Sequence, residues 1–195
     1  MSSGAPAPDP QRVRGAAALL DDETLVVRAR DGDLRAFEDL VRRFETPLYR
    51  LALRMLDDRG EAEDVVQETF LSAWRRLPEL RDARALTGWL YRVTTNRCLN
   101  LLRARRPAAD VDLDLLESAA GSRPERVVET ATALDALGTA LRRLTPPQRA
   151  AWLLREVHGL AYGEIAHIMG SSPAAVRGRI ARARVDLAEA MQSWR

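Results

Sequence analysis

The chain has 195 residues, enough for one domain or two small ones, and its 30 basic and 28 acidic residues leave a formal net charge of +2. That balance excludes a polycation that holds nucleic acid by bulk charge, so the distribution of charge along the chain carries the information. Every basic residue is Arg and none is Lys; Arg suits bidentate contacts to phosphate and guanine, but so complete a bias reads as genomic base composition. Aromatic residues make up 5% of the chain, which argues against an all-β fold, while abundant Ala, Leu and Arg favour helix. The lone Cys98 excludes an intramolecular disulfide and a Cys-based zinc site, and reads as a small buried residue. No apolar run reaches the length a membrane span needs, and the opening MSSGAPAPDPQRVRG lacks the apolar core of a signal peptide, so no membrane insertion and a cytoplasmic location are expected.

Residues 1–18 are small, polar and Pro-rich and are expected to be a disordered tail. Asp21 and Asp22 open a short helix that Asp31-Gly32-Asp33 breaks. From Leu34 the residues Phe37, Leu40, Val41, Phe44, Leu48, Leu51, Ala52 and Met55 recur at helical spacing, with Pro47 inside the pattern as an expected kink. Asp57 to Gly60 is the next break. Glu61 to Leu77 then forms a helix whose buried stripe is Val65, Val66, Thr69, Phe70, Ala73 and Leu77, leaving Asp64, Gln67, Glu68 and Leu71 on other faces. After a loop from Pro78 to Ala85, Thr87 is expected to cap a helix running to about Arg106, with Trp89 and Val93 on its buried stripe. This helix carries Arg92, Arg97, Arg103, Arg105 and Arg106 and no acid, and with Trp89, Tyr91, Asn96 and Asn100 it has charge for phosphates, amides for base edges and rings for stacking.

Residues 107–130 change character: Asp110, Asp112, Asp114 and Glu117 make the stretch acidic, Gly121, Ser122 and Pro124 break regularity, and it reads as a flexible linker in which Leu113, Leu115 and Leu116 have the spacing for a short helix. A second bundle follows. Leu134, Leu137, Leu141 and Leu144 mark one helix; Thr145-Pro146-Pro147 caps and starts the next, whose apolar residues are Ala150, Ala151, Leu153, Leu154 and Val157, and Gly159 ends it. Ile165, Ala166, Ile168 and Met169 form a helix stopped by Gly170, Ser171 and Ser172 cap another that begins at Pro173, and Val176, Ile180 and Ala183 form its inner face. That is a helix, a tight turn and a helix, with Arg177, Arg179, Arg182 and Arg184 turned outward on the second, as a recognition helix in a major groove requires. A solvated Arg face on an ordinary bundle helix is the plainer alternative.

The segments GDLRAFEDLVRRF, EDVVQETFLSAW and WLYRVTTNRCLNLLRARR, followed by LDALGTALRRLTPPQRAAWLLREVHGLAYGEIAHIMGSS and AAVRGRIARAR, resemble the extracytoplasmic-function sigma factors of the sigma-70 family, over roughly Asp21 to Leu187. The resemblance implies an all-α chain of two small domains: sigma domain 2 over 19–106, the linker, and sigma domain 4 with its helix-turn-helix over 131–195. It implies a subunit that binds core RNA polymerase, directs promoter-specific initiation, assists promoter opening, and is held in check by an anti-sigma factor. Core RNA polymerase, through its β′ coiled coil and β flap, and promoter DNA are the implied partners. Asp64, Gln67, Glu68 and Leu71 match the face that docks on the β′ coiled coil. Arg81, Arg84, Arg92, Asn96, Arg97, Asn100 and Arg103 match the minus-ten surface, where Asn96 stands at a position that contacts a flipped base; extrusion costs a few kcal/mol of stacking and pairing. Ser172, Arg177, Gly178, Arg179, Ala181 and Arg182 match the minus-thirty-five readers. Ala174-Ala175 stands where Gly-Thr is frequent and Gly178 where Ser is frequent, so hydroxyl contacts are lost there. Arg177 and Arg182 remain as groove readers, each able to discriminate by about 1–3 kcal/mol if paired with guanine.

A free-standing helix-turn-helix regulator would account for Leu153 to Arg184 but leave the Asp64–Glu68 face and the basic helix around Asn96 without a role, and no apolar seam is set aside for a dimer. Glu164 and His167 have one metal-ligand spacing but no second copy, His158 stands alone, and no phosphate loop or nucleophile elbow appears. No catalytic residue, metal or cofactor is assigned, and the chain is not expected to be an enzyme.

Overall fold

The computed structural model describes residues 20–105 and 133–192, the side chains of 133–135 excepted. The expected tail over 1–18 and the expected acidic linker over 107–130 lie outside the described residues. Among those described there is no strand, and the elements are eight α-helices: α1 (Asp22–Arg30), α2 (Leu34–Leu56), α3 (Arg59–Arg76), α4 (Ala85–Ala104), α5 (Ala133–Arg143), α6 (Pro146–Trp152), α7 (Tyr162–Met169) and α8 (Pro173–Gln192). A 3-10 turn (Leu77–Glu79) follows α3, and a π turn (Leu153–Val157) continues α6.

Short acids start the helices of the first half. Asp21 accepts from Thr24 N at 2.7 Å, Asp33 from Arg35 N and Ala36 N at 3.0 and 3.2 Å, and Asp58 from Glu61 N at 2.9 Å. Each satisfies an amide that the first turn leaves without a helical acceptor. Because Asp58 caps α3, that helix starts at Arg59 and the expected four-residue break from Asp57 to Gly60 shrinks to two. α2 runs unbroken through Pro47. The helices α1 to α4 pack around a core in which Leu25, Leu48, Leu51 and Met55 are fully buried; burying each such side chain contributes about 1.5–3 kcal/mol.

α4 departs from the sequence expectation. It begins at Ala85, two residues before Thr87, because Asp82 takes the amide of Arg84 at 3.0 Å and sets the first turn earlier. Its buried stripe is Leu86, Leu90, Tyr91, Thr94, Thr95 and Cys98, and Trp89 and Val93 only flank it. The Arg76 guanidinium lies 5.7 Å from the Trp89 ring centroid, a cation–π contact at the edge of the core.

In the second half, Thr145 and Gln148 form a reciprocal cap at the start of α6, the Thr145 amide donating to Gln148 Oε1 at 3.0 Å. Val157, expected on the apolar face, is 55% exposed; it is the last residue of the π turn, whose i→i+5 spacing takes it off the α-helical period that put it on that face. Gly159 follows at φ +70°. Ile165 and Ile168 of α7 and Val176, Ile180, Ala183 and Leu187 of α8 are buried against each other and α6. Gly170 closes α7 at φ +60°, ψ +39°, a conformation that costs a residue with a Cβ.

The two halves touch. α7 and α6 pack against α4, α6 also meets α2, and the buried residues form one continuous cluster.

Candidate functional site

On α3 the residues Asp64, Gln67, Glu68 and Leu71 are all exposed, opposite a stripe of Val65, Val66, Thr69, Phe70 and Ala73 that is buried. The helical period alone separates the two sets. Leu71 is 50% exposed and Trp74, one turn on, is 38% exposed, its ring tilted against Phe37 at 4.9 Å between centroids. Trp74 was not among the expected residues; its position outside the α3 apolar stripe, three residues from Leu71, was the available signal. Leu71 and Trp74 thus set two partly exposed apolar side chains beside the acidic and amide patch.

Glu68 is paired with Arg97 of α4, whose Nη2 also donates to Ser72 Oγ at 3.2 Å. An expected docking residue and an expected DNA-binding residue are therefore each other's partner. Arg84 is held by Glu23 of α1 at 3.0 Å, and that carboxylate raises its pKa above the ordinary value. Arg103 donates to Asn100 Oδ1 at 3.0 Å. Arg81 and Arg92 are exposed and Asn96 is half-buried. Tyr91 is not available to stack on a base: it is 7% exposed, and its hydroxyl lies 3.2 Å from His158 Nδ1. Cys98 is fully buried, and burial pushes its thiol pKa up to about 12, so it is a packing residue with no thiolate to offer.

In the helix-turn-helix, Ser172 Oγ accepts from Ala175 N at 3.1 Å and starts α8. The buried face of α8 leaves Arg177, Ala181 and Arg182 exposed and Gly178 and Arg179 half-buried. A Cβ at Gly178 would stand 3.8 Å from the Arg182 guanidinium, an ordinary van der Waals contact. Arg184, about two turns from Arg177 on the same side of α8, is paired with Glu156, donating to it at 2.6 Å. Glu164 is used locally, accepting from Ala161 N at 2.6 Å at the head of α7, and His167 is exposed. Among the described residues no cluster of His, Cys, Asp and Glu is placed to hold a metal ion, and no helix is long and apolar enough to cross a membrane.

Comparison with known proteins agrees with this arrangement. Residues 40–107 match the family Sigma-70 region 2, and residues 134–187 match Sigma-70, region 4. The chain is similar to the RNA polymerase sigma-H factor of Pseudomonas aeruginosa, 36% identical over 181 residues, 88% of this chain and 94% of that protein. It is similar to the ECF RNA polymerase sigma-E factor of Escherichia coli, 37% identical over 175 residues, 85% of this chain and 91% of that one. Among solved structures, CnrH in complex with the cytosolic domain of CnrY matches with a TM-score of 0.67 at 30% identity, over 88% of this chain and 97% of that chain. The sigma factor RpoE in complex with the anti-sigma factor NepR, from Bartonella quintana, shares the fold with a TM-score of 0.64 at 23% identity, over 83% of this chain and 100% of that one. With both sigma regions matched in order and relatives above 30% identity along nearly their whole length, the chain belongs to the extracytoplasmic-function group of the sigma-70 family of RNA polymerase sigma factors.

Proposed function

We propose that this sigma factor divides its work among three helices. The α3 face of Asp64, Gln67, Glu68 and Leu71, extended by Trp74, docks on the β′ coiled coil of core polymerase. The loop before α4 and α4 itself, through Arg81, Arg84, Arg92, Asn96, Arg97, Asn100 and Arg103, handle the minus-ten element. α8 enters the major groove at the minus-thirty-five element, with Arg177 and Arg182 toward base edges and Ser172 and Arg179 toward phosphates. It performs no bond-making chemistry of its own. The observation that carries this reading is the segregation of faces: the acidic, amide and apolar set stands exposed on α3, and the Arg set of α8 stands exposed opposite its buried stripe.

Control by an anti-sigma protein belongs to the same reading. Its support is the 30% identical relative solved with the cytosolic domain of a second protein. The first half is proposed to span 19–106 and the second 131–195. Run-off transcription tests the function: purified chain added to sigma-free core polymerase on sheared GC-rich genomic DNA should give discrete transcripts that need both components. DNA binding by the chain alone, with no transcript, would favour a free-standing regulator instead.

A further inference from the structure

A cleft of about 250 Å³ opens where the last turn of α2, the α2–α3 turn and α5 meet, and no role described so far uses it. Leu53 and Leu141 give it an apolar lining. Three guanidinium groups face it, from Arg54 of α2, Arg59 at the start of α3 and Arg142 of α5, together with one carboxylate, Asp57. Two of these cations converge over Gly138. A Cβ built there would lie 3.5 Å from Arg54 Nη1 and 4.0 Å from Arg142 Nη1, so the two nitrogens are at most about 7.5 Å apart. One phosphate group, accepting a charge-assisted bond of about 2.7–2.9 Å from each, spans such a gap.

The charge around the cleft is not balanced. Asp57 lies 3.2 Å from Arg142. Asp58 turns to the amide of Glu61 at 2.9 Å, and Glu61 is paired with Arg105. Arg54 and Arg59 are exposed and pair with no carboxylate among the described residues. The carbonyls at the end of α2 already have cations of their own: Met55 O accepts from Arg149 at 2.6 Å and Leu56 O from Arg105 at 3.2 Å. Arg149 adds to the imbalance from behind. It is 7% exposed, and its other bonds also go to carbonyls, Leu141 O at 2.8 Å and Arg142 O at 3.0 Å among them. Burial pulls its pKa down to about 10, so it stays charged at neutral pH, and a buried cation is screened less than a surface one. Elsewhere the chain sets an acid against an Arg that crosses between helices, as in Arg43 with Asp22, Arg84 with Glu23 and Arg184 with Glu156. Two exposed Arg on one helix would be an ordinary solvated face; here the cations come from three helices, around a glycine and two leucines, with a fourth buried behind them.

We propose that this cleft binds a small polyphosphate, one phosphate held between Arg54 and Arg142 over Gly138, a second against Arg59, and any attached nucleoside against Leu53 and Leu141. The volume is small for a ligand site, which suits a compact anion. Arg presents the forked donors that phosphate oxygens accept. Arg54 and Arg59 lie in the matched sigma region 2 and Gly138 and Arg142 in region 4, so a bound polyphosphate makes the arrangement of the two regions depend on its concentration.

The test titrates the purified full chain with pyrophosphate in EDTA and follows the heat of binding. Saturable one-to-one binding is expected, and pyrophosphate at about ten times its dissociation constant should raise the midpoint of thermal unfolding by about 3–6 °C. Arg54→Gln combined with Arg59→Gln should weaken binding by about tenfold or more; neither side chain has a partner in the fold to lose. Gly138→Glu, which sets a carboxylate between the guanidinium groups, should abolish it, with circular dichroism to check folding. Arg35→Gln combined with Arg75→Gln removes the same charge from exposed positions elsewhere on α2 and α3 and should leave binding unchanged. ADP or GDP binding more tightly than pyrophosphate identifies a nucleotide as the ligand, and equal affinity identifies the diphosphate alone. Absence of saturable binding up to about 10 mM overturns the proposal, as does equal weakening by the control pair or equal affinity for inorganic phosphate. It is also overturned if the affinity for random-sequence duplex DNA falls by the same factor as that for pyrophosphate in the Arg54 and Arg59 variant, which would make the cleft a DNA-backbone contact. No arm uses polymerase, so failure here is separate from failure of the sigma-factor reading.

Discussion

Replacing Gln67 and Glu68 together by Ala separates binding from stability, because the structure bounds the stability side. Gln67 is exposed and has no hydrogen bond across the fold, and a surface change of that kind stays within about 0.5 kcal/mol. Glu68 loses its pair with Arg97, whose side chains are 58% and 34% exposed. Such pairs contribute about 0.2–1 kcal/mol, so the double variant should lose at most about 1.5 kcal/mol of stability. If the two residues sit near the centre of the polymerase contact, truncation should cost about 2 kcal/mol or more of binding, a fall in affinity of about thirty-fold or more. Fluorescence anisotropy of labelled chain titrated with core polymerase measures this without DNA. Arg97→Ala is the control: it breaks the same intramolecular pair but leaves the α3 face whole, and should bind core polymerase normally. Equal weakening by Arg97→Ala and Glu68→Ala would mean that the ion pair, not the face, is what polymerase senses, and would refute the docking assignment.

Asn96→Ala should impair promoter opening, read by permanganate footprinting, more than closed-complex binding; equal losses would argue against base capture by the amide. Arg182→Ala should weaken promoter binding with relaxed preference at one base pair, measured on a panel of substituted promoters, whereas a uniform loss would place Arg182 on phosphate. Gly170→Ala should cost about 1–2 kcal/mol, because φ is +60° and no atom lies near the new Cβ, so the penalty is backbone alone; thermal unfolding reads it, and no change would contradict the turn geometry. The pH dependence follows from His158, whose pKa is lowered by burial first and by the Arg50 charge second. A lowered pKa in the folded chain means that the fold is favoured fully above the ordinary value of 6.5 and loses stability as pH falls from there toward the lowered value. The groups facing the ring are Tyr91 from α4 and Arg50 from α2, neither a carboxylate that would hold an imidazolium. Thermal unfolding from pH 7.5 down to about 5.5 should show a falling midpoint, a dependence that His158→Gln weakens.

The helix-turn-helix was readable because every signal in it is local. Gly170, Ser172 and Pro173 act within four residues, and the α8 stripe needs only its own period. The exposed set on α3 followed from period as well. Thr87 misled because two candidate caps lie close together and Asp82, without a following apolar periodicity to mark it, takes the amide of Arg84 first. Tyr91 looked like a stacking residue because its partner, His158, is 67 residues away. Arg149 was invisible for the same reason: it sits in a capped first turn that reads as surface, and Met55 O is 94 residues distant. Arg–Glu pairing across helices, as in Arg105–Glu61 and Arg97–Glu68, likewise leaves no trace in spacing along the chain.

The wide turn at Leu153–Val157 has a consequence for how this chain tolerates changes of length. A π turn holds one residue more than the α-helix it interrupts. Deleting one residue from it would turn the bond from His158 N to Leu153 O into an ordinary helical one and close the bulge, leaving the chain on either side in phase. A deletion in most surface turns shortens a loop; here it would remove only the bulge, so this stretch can give up one position, while Leu153 and Leu154, both fully buried, tolerate little change of side chain.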